Sequence, residues 1–412
     1  MRTLLLLLLA SATALAQTVP QTRISRITED LRGVSAVSQK VAWASGTHGT
    51  YLRTTDGHIW IPDHVPGAES LDFRGIVAFS ADEAFLMSSG PGDQSRIYHT
   101  TDAGRHWQLQ FTNTNPKAFF DSMAFWDNTH GIILGDPIPD ETGALKFELL
   151  ITDDGQIWTP IPPAQLPPAL EGEAAFAASN TCLAILRTTD VAAAHRVIPS
   201  AARDHGLSGT TIAADNTAPP PAQPWKSGAS APRSAPEKEG ASAPAEPDPN
   251  IWFATGGKAA RVFHSPDRGR TWEVFDTPIT RGPDSAGIFS IAFRDQTHGV
   301  IAGGDYKLPQ RDGPNLAFTT DAGKTWTLSK IFPQSYYSAV TYDRNTNRTN
   351  RDEARVRFFL VGPKFIYDFR PPQNPTRISA QKKSDAQFNA VSPYPEGGAL
   401  AVGPKGTIIN VP

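Results

Sequence analysis

The chain repeats one order of apolar and polar positions. Phe125 to Trp158 and Phe293 to Trp326 are both 34 residues long and align without a gap. They share the leading phenylalanine, Asp127 with Asp295, Thr-His-Gly at 129–131 and 297–299, Ile133 with Ile301, and Gly135 with Gly303. Each reads as strand, turn, strand, longer loop, strand and tight turn, with its apolar residues in runs of strand length. A unit of this size needs a neighbour stacked beside it to bury its faces.

The tight turn is the sharpest signal. Ser/Thr-x-Asp-x-Gly-x-x-Trp occurs three times, carrying Asp102, Gly104 and Trp107, then Asp267, Gly269 and Trp272, then Asp321, Gly323 and Trp326. Ile151 to Trp158 keeps Asp153, Gly155 and Trp158 and lacks the first hydroxyl, and Arg53 to Trp60 keeps Gly57 and Trp60 with Asp56 displaced by one. The Asp and hydroxyl side chains can accept hydrogen bonds from turn N–H groups, Gly supplies a positive φ, and Trp fills a large apolar gap.

Spacing counts the repeats. Successive turn tryptophans are 47, 51, 114 and 54 residues apart, and the long interval contains 187–250, where the strand pattern collapses. Thr217 to Asn250 carries nine Pro and eight Ala in 34 residues, a polyproline-like excursion that cannot form a core. Only Val191 to His205, inside it, has helical promise. The remaining chain gives about 47 residues for each of seven blades, within the repeat range of propellers. Inner strands are expected to start near Arg32, Arg74, Asp121, Glu173, Ile288, Tyr337 and Phe388. The last unit lacks one strand, which Thr22 to Ile27 can supply. The expected fold is therefore all-β: a seven-bladed β-propeller of four-stranded antiparallel blades over 17–412, closed by an N-terminal strand, with 187–250 inserted in blade 4.

Composition narrows the function. The formal net charge is −3, with no basic stripe for a phosphate backbone, so no nucleic-acid partner is expected. One cysteine, Cys182, excludes an intrachain disulfide, and the ten histidines show no ligand spacing, so neither metal nor cofactor is expected. Met1 to Ala16, with Arg2, a leucine run and Ala14-Leu15-Ala16, reads as a secretory signal, which makes the mature chain an exported one without a membrane span.

The turn resembles the Asp-box, or BNR repeat, of β-propellers. That resemblance implies a scaffolding role for Asp102, Asp153, Asp267 and Asp321. Blade order and the repeated Thr-His-Gly stretches look most like the photosystem II stability/assembly-factor family, which implies a monomeric, non-enzymatic protein- or peptide-binding factor. In this register Arg32, Arg74, Asp121, Glu173, Phe289, Tyr337 and Asn389 ring the central face and are the candidate binding residues. The same repeat occurs in sialidases, which implies an alternative as an exo-acting glycoside hydrolase. Asp136 and Asp305 are its candidate acid and base, and Tyr336, Tyr337 or Tyr367 its candidate nucleophile.

Overall fold

A computed structural model describes residues 21–25, 27–186, 250–330, 335–344, 357–363, 365–370, 379–384 and 386–412. Seven sheets follow one another in chain order, giving a seven-bladed, all-β propeller. The inner strands are Leu31–Ala36, Asp72–Ala78, Phe120–Phe125, Leu183–Ile185, Ala286–Phe293, Ala339–Tyr342 and Ala390–Pro393. Blade 1 is typical, with Ala42–Gly46, Thr50–Thr54 and Ile61–His64 added outward in antiparallel register. In blade 7 the outermost strand is Gln21–Ile24, paired with Thr407–Val411 from Gln21 opposite Asn410 to Ile24 opposite Thr407. The two ends of the chain thus share one sheet, and the ring has no open edge there. In blade 4, Leu183–Ile185 pairs with Ile251–Ala254, so the chain leaves after the inner strand and returns as the second. The expected excursion over 187–250 falls almost wholly outside the described residues.

Seven clusters of buried side chains hold the blades together, each formed by two adjacent blades. The turn tryptophans sit in these seams. Trp60, Trp107, Trp158, Trp272 and Trp326 each pack in the cluster between their own blade and the preceding one. Truncating one to Ala would cost about 3–5 kcal/mol.

The turns come in two lengths. In the longer one, Thr100 Oγ donates to Asp102 and accepts the Gly104 N–H at 3.1 Å, and Asp102 accepts the His106 N–H at 2.9 Å. The same pattern recurs at Ser265–Asp267–Gly269 and Thr319–Asp321–Gly323. The residue before each glycine, Ala103, Arg268 or Ala322, takes a positive φ of 59–69°. The shorter form drops that residue. At Thr54–Asp56–Gly57 and Thr152–Asp154–Gly155 the hydroxyl accepts the Gly N–H at 3.0 Å, and the Asp accepts the next two N–H groups. This corrects the expectation for Asp153. The turn carboxylate there is Asp154 and the hydroxyl is retained as Thr152, because deleting one residue shifts both by a position relative to the glycine. Asp153 points outward and pairs with Arg268 of blade 4 at 2.8 Å.

Three of the five turns are also held by a side chain of the blade before. Tyr51 donates to the Gly104 carbonyl at 2.9 Å, Gln110 to that of Gly155 at 2.8 Å, and Trp252 to that of Ala322 at 2.8 Å. The Thr-His-Gly stretches close the first hairpins of blades 3 and 5. Asp127 accepts N–H groups from Thr129 and His130, and Asp295 from Thr297 and His298.

Candidate functional site

Antiparallel blades fix which residues share a face. The starts of all inner strands lie with the loops joining second to third strands, whereas the hairpin turns just described lie on the opposite face. On the first face a bulge opens near the start of four inner strands, and bulges re-aim side chains. The extra residues are Arg32, Arg74, Asp121 and Phe289, set between Leu31 and Gly33, Phe73 and Gly75, Phe120 and Ser122, and Ile288 and Ser290. Counting outward along the other three ladders, the equivalent positions are Thr181, Ser338 and Asn389.

The ring expected from sequence is thus corrected at two of seven positions. Ser338 takes the place given to Tyr337, which is the buried residue before it and donates its N–H to the Gly303 carbonyl. Thr181 takes the place given to Glu173, because the inner strand of blade 4 is Leu183–Ile185 and its ring position lies eight residues later than expected. Glu173–Ala174 instead pairs with Gly256–Gly257, which continues to Gly287 at the rim of blade 5. Cys182 immediately precedes that strand. Its thiol is fully buried and pushed up by burial, so it is not a nucleophile.

The mouth has two unlike arcs. Across blades 1 and 2, Arg32 and Arg74 share one carboxylate, Asp72, at 3.5 and 2.9 Å. Arg74 also donates to the Ala177 carbonyl at 3.2 Å and lies over the Phe119 ring. Two guanidinium groups on one carboxylate leave this arc with surplus positive charge. Across blades 4 to 6, Phe289 stacks on Phe176 with centroids 4.0 Å apart and meets Tyr336 edge-on at 4.7 Å and Tyr306 at 6.1 Å. Tyr306 and Leu308 stand half exposed on the loop after Asp305. The loop is braced by the Tyr336 N–H on the Pro309 carbonyl and by the Lys307 N–H on Asp305. Asn389 closes the circuit by donating to the Leu31 carbonyl at 2.7 Å.

The carboxyls divide into satisfied and strained. Glu173 is buried and fully engaged by Arg261, the Thr255 hydroxyl and the Leu170 N–H. Asp305 is buried at a strand end and serves its loop. Asp121 is buried with its Oδ2 lacking a hydrogen-bond partner, and burial together with the nearby Asp136 pushes its carboxyl well above the ordinary range. Burial also raises Asp136, to about 6, against the opposing hydrogen bond from the Ala175 N–H. The structure therefore sets Asp136 beside Asp121 in blade 3, its N–H on the Phe119 carbonyl, and gives Asp305 separate work in blade 5. Tyr336 and Tyr337 are buried phenols pushed up by desolvation, which makes them poor nucleophiles.

Behind the mouth a channel of about 610 Å³ runs between the inner strands of all seven blades. Its walls include Ser35, Thr181, Thr341 and Ser392, with Arg294, Asp343 and Arg344 toward the opposite face. Hydroxyls stitch these strands together: Ser35 accepts the Ala78 N–H, Ser392 that of Ala36, and Ser290 that of Val340. Among the described residues no cluster of three His, Cys, Asp or Glu is placed to hold a metal, and no helix is long and apolar enough to cross a membrane.

No family model and no curated protein matches the chain. Solved structures do. A structure of YCF48 bound to D1 peptide matches with a TM-score of 0.56 and 13% identity, covering 97% of this chain and 98% of that one. YCF48 from Cyanidioschyzon merolae matches with a TM-score of 0.53 and 14% identity over 96% and 99%. A GH74 xyloglucanase from Xanthomonas campestris matches with a TM-score of 0.52 and 14% identity, over 95% of this chain but 53% of that enzyme. The likeness is one of fold. Propellers carry both binding and hydrolytic functions, so the site has to decide between them.

Proposed function

We propose that the chain is an exported binding factor of the assembly-factor kind, which takes up a protein or peptide segment across the mouth ringed by its inner-strand starts. The observation that carries this is the pairing of a surplus-cation arc, Arg32 and Arg74 on Asp72, with a braced aromatic arc ending in Tyr306 and Leu308. Arg and Tyr on pre-organised backbone are what interface anchors are made of. A YCF48 structure of the same fold, similar over nearly the whole chain, holds a D1 peptide. The test is peptide display on the purified protein, followed by calorimetry of the enriched sequences. Arg74→Glu and Tyr306→Ala are each expected to weaken binding at least about tenfold, the size of a modest anchor. Failure to enrich any peptide, or affinities untouched by either variant, would remove the reading.

One observation favours the hydrolase alternative. Asp136 is held at about 6, within the range of a general acid. Turnover of sialosides or β-glucans that vanishes in Asp136→Asn would establish that reading instead.

A further inference from the structure

The connection into blade 4 is longer than its counterparts. Trp60, Trp107, Trp272 and Trp326 are followed by the next inner strand at Asp72, Phe120, Ala286 and Ala339, 12 to 14 residues on, whereas Leu183 lies 25 residues beyond Trp158. The surplus includes Glu173–Asn180, a strap pinned at both ends. Glu173 is locked by Arg261, Ala174 pairs with Gly256, and the Ala175 N–H rests on Asp136 at 3.1 Å. At the far end the Asn180 side chain bonds the Met123 N–H at 2.7 Å and carbonyl at 3.1 Å. Between the pins, Phe176 to Ser179 make no backbone–backbone hydrogen bond among the described residues.

The middle of the strap touches both arcs of the mouth. The Ala177 carbonyl accepts from Arg74 at 3.2 Å. The Phe176 ring lies parallel to that of Phe289, with centroids 4.0 Å apart and planes 10° apart. Phe289 is buried and Phe176 half-buried, and neither belongs to the seven clusters that hold the blades together. The edge of the Phe176 ring lies over Gly256 and Gly287, whose backbones pair at the rim, and a Cβ on either would run into it. Phe289 and two glycines thus form a flat socket, and a connecting segment, not a blade, supplies the ring that fills it.

We propose that this socket recognises an aromatic side chain of the partner, and that Phe176 occupies it in the free protein as an internal stand-in. The inference rests on the peptide-binding reading and deepens it. The partner class is an extended segment with an aromatic residue followed by a small one whose carbonyl meets Arg74, the order of Phe176 and Ala177. Such a segment gains a parallel ring contact on Phe289 and a charge-assisted hydrogen bond from Arg74. Because the strap is held at its ends and carries no ladder in its middle, its ring can leave without undoing blade 4. Two rings cannot share the socket, so the stand-in lowers the apparent affinity for the partner by the fraction of molecules in which the socket is free.

The test is calorimetry of an acetylated and amidated Ala-Ala-Phe-Ala-Ala peptide, the sequence of 174–178, against the full chain. Phe176→Ala is expected to bind it at least about tenfold more tightly than the wild-type chain, because a tethered competitor acts at high effective concentration. The same peptide with Ala in place of Phe is expected not to bind, and neither is the original peptide to the double variant Phe176→Ala/Phe289→Ala. No binding to Phe176→Ala, equal affinity for Phe176→Ala and the wild-type chain, or binding that ignores the ring of the peptide would overturn the proposal. Should Phe176→Ala fail to fold, Phe176→Leu, which keeps apolar bulk without a ring to stack, takes its place under the same criteria. Peptide display on the wild-type chain separates the two readings: enriched sequences without an aromatic residue would overturn the socket and leave peptide binding standing.

Discussion

Arg268 of blade 4 lies over the indole of Trp126 in blade 3, its guanidinium carbon 5.2 Å from the ring centroid. The same guanidinium donates to Asp153 at 2.8 Å, so one side chain bridges two blades by an aromatic and an ionic contact. The Asp153 carboxylate is mostly exposed, and exposed pairs contribute little. Removing the arginine should therefore cost more than removing its ionic partner. Urea unfolding of Arg268→Ala is expected to show a loss of about 1–2 kcal/mol through lost cation–π and packing contacts, and Asp153→Ala about 0.5 kcal/mol or less. Equal losses would assign the contact to the ion pair.

The two turn lengths give a sharper contrast. Asp154 accepts from the Thr152 hydroxyl and from the Gln156 and Ile157 N–H groups, whereas Asp153 accepts from none of them. Asp154→Ala is expected to destabilise by about 1–2 kcal/mol, in the manner of a lost cap, while Asp153→Ala stays near neutral. The reverse order in thermal melts would restore the register read from sequence.

Gly104 and Ala103 should respond in opposite directions. Gly104 has φ 85°, and a Cβ there would meet the Tyr51 hydroxyl at 2.6 Å, which is itself bonded to the Gly104 carbonyl. Gly104→Ala should cost more than about 1 kcal/mol. Ala103 carries a Cβ at φ 69°, and Ala103→Gly is expected to be neutral or stabilising by up to about 1 kcal/mol. Differential scanning calorimetry of the pair reads both.

Acid stability has a local origin in the first hairpin of blade 3. Asp127 is lowered to about 2 by hydrogen bonds from Thr129 and His130 that outweigh desolvation. A carboxylate lowered in the folded state stabilises above its unfolded value and loses that contribution as pH falls from about 4 toward 2. Asp127→Ala should be less stable at neutral pH and should show a shallower acid limb in pH-dependent denaturation. An acid limb as steep as that of the wild-type chain would contradict it.

The ring was legible in the sequence because its seams need the same residue in the same slot. A tryptophan wedged between blades leaves a recurring mark, and the glycine three positions before it fixes the turn. Closure by the N-terminal strand was legible for the converse reason, since blade 7 was one strand short. The mouth was less so. Arg32, Arg74, Asp121, Phe289 and Asn389 fall at equivalent bulge or strand-start positions, yet Glu173 does not, because residues 173–180 before Thr181 alternate buried and half-buried like a strand. The signal that separates them is the apolar run Cys182 to Leu186, which ends where the excursion begins. Asp153 was misread because sequence alignment keeps the glycine and tryptophan in step and cannot show which of two adjacent carboxylates faces the turn. The placing of Asp136 beside Asp121 depends on two bulges, one at each residue, and a bulge leaves no mark in a list of residues.

Gln21 and Asn410 face each other across one ladder. Nearly the whole chain separates them, so their contact carries the largest loop-closure entropy in the molecule and forms only after the intervening blades have given it something to close on. Six blades can collapse pairwise as they appear, but the seventh is incomplete until both ends are present. An emerging polypeptide therefore stays an open arc, with a raw edge at each end, for as long as it is being delivered. The finished ring arises in a single late event, and any lesion that detaches Gln21–Ile24 should return the molecule to that arc rather than unravel one blade at a time.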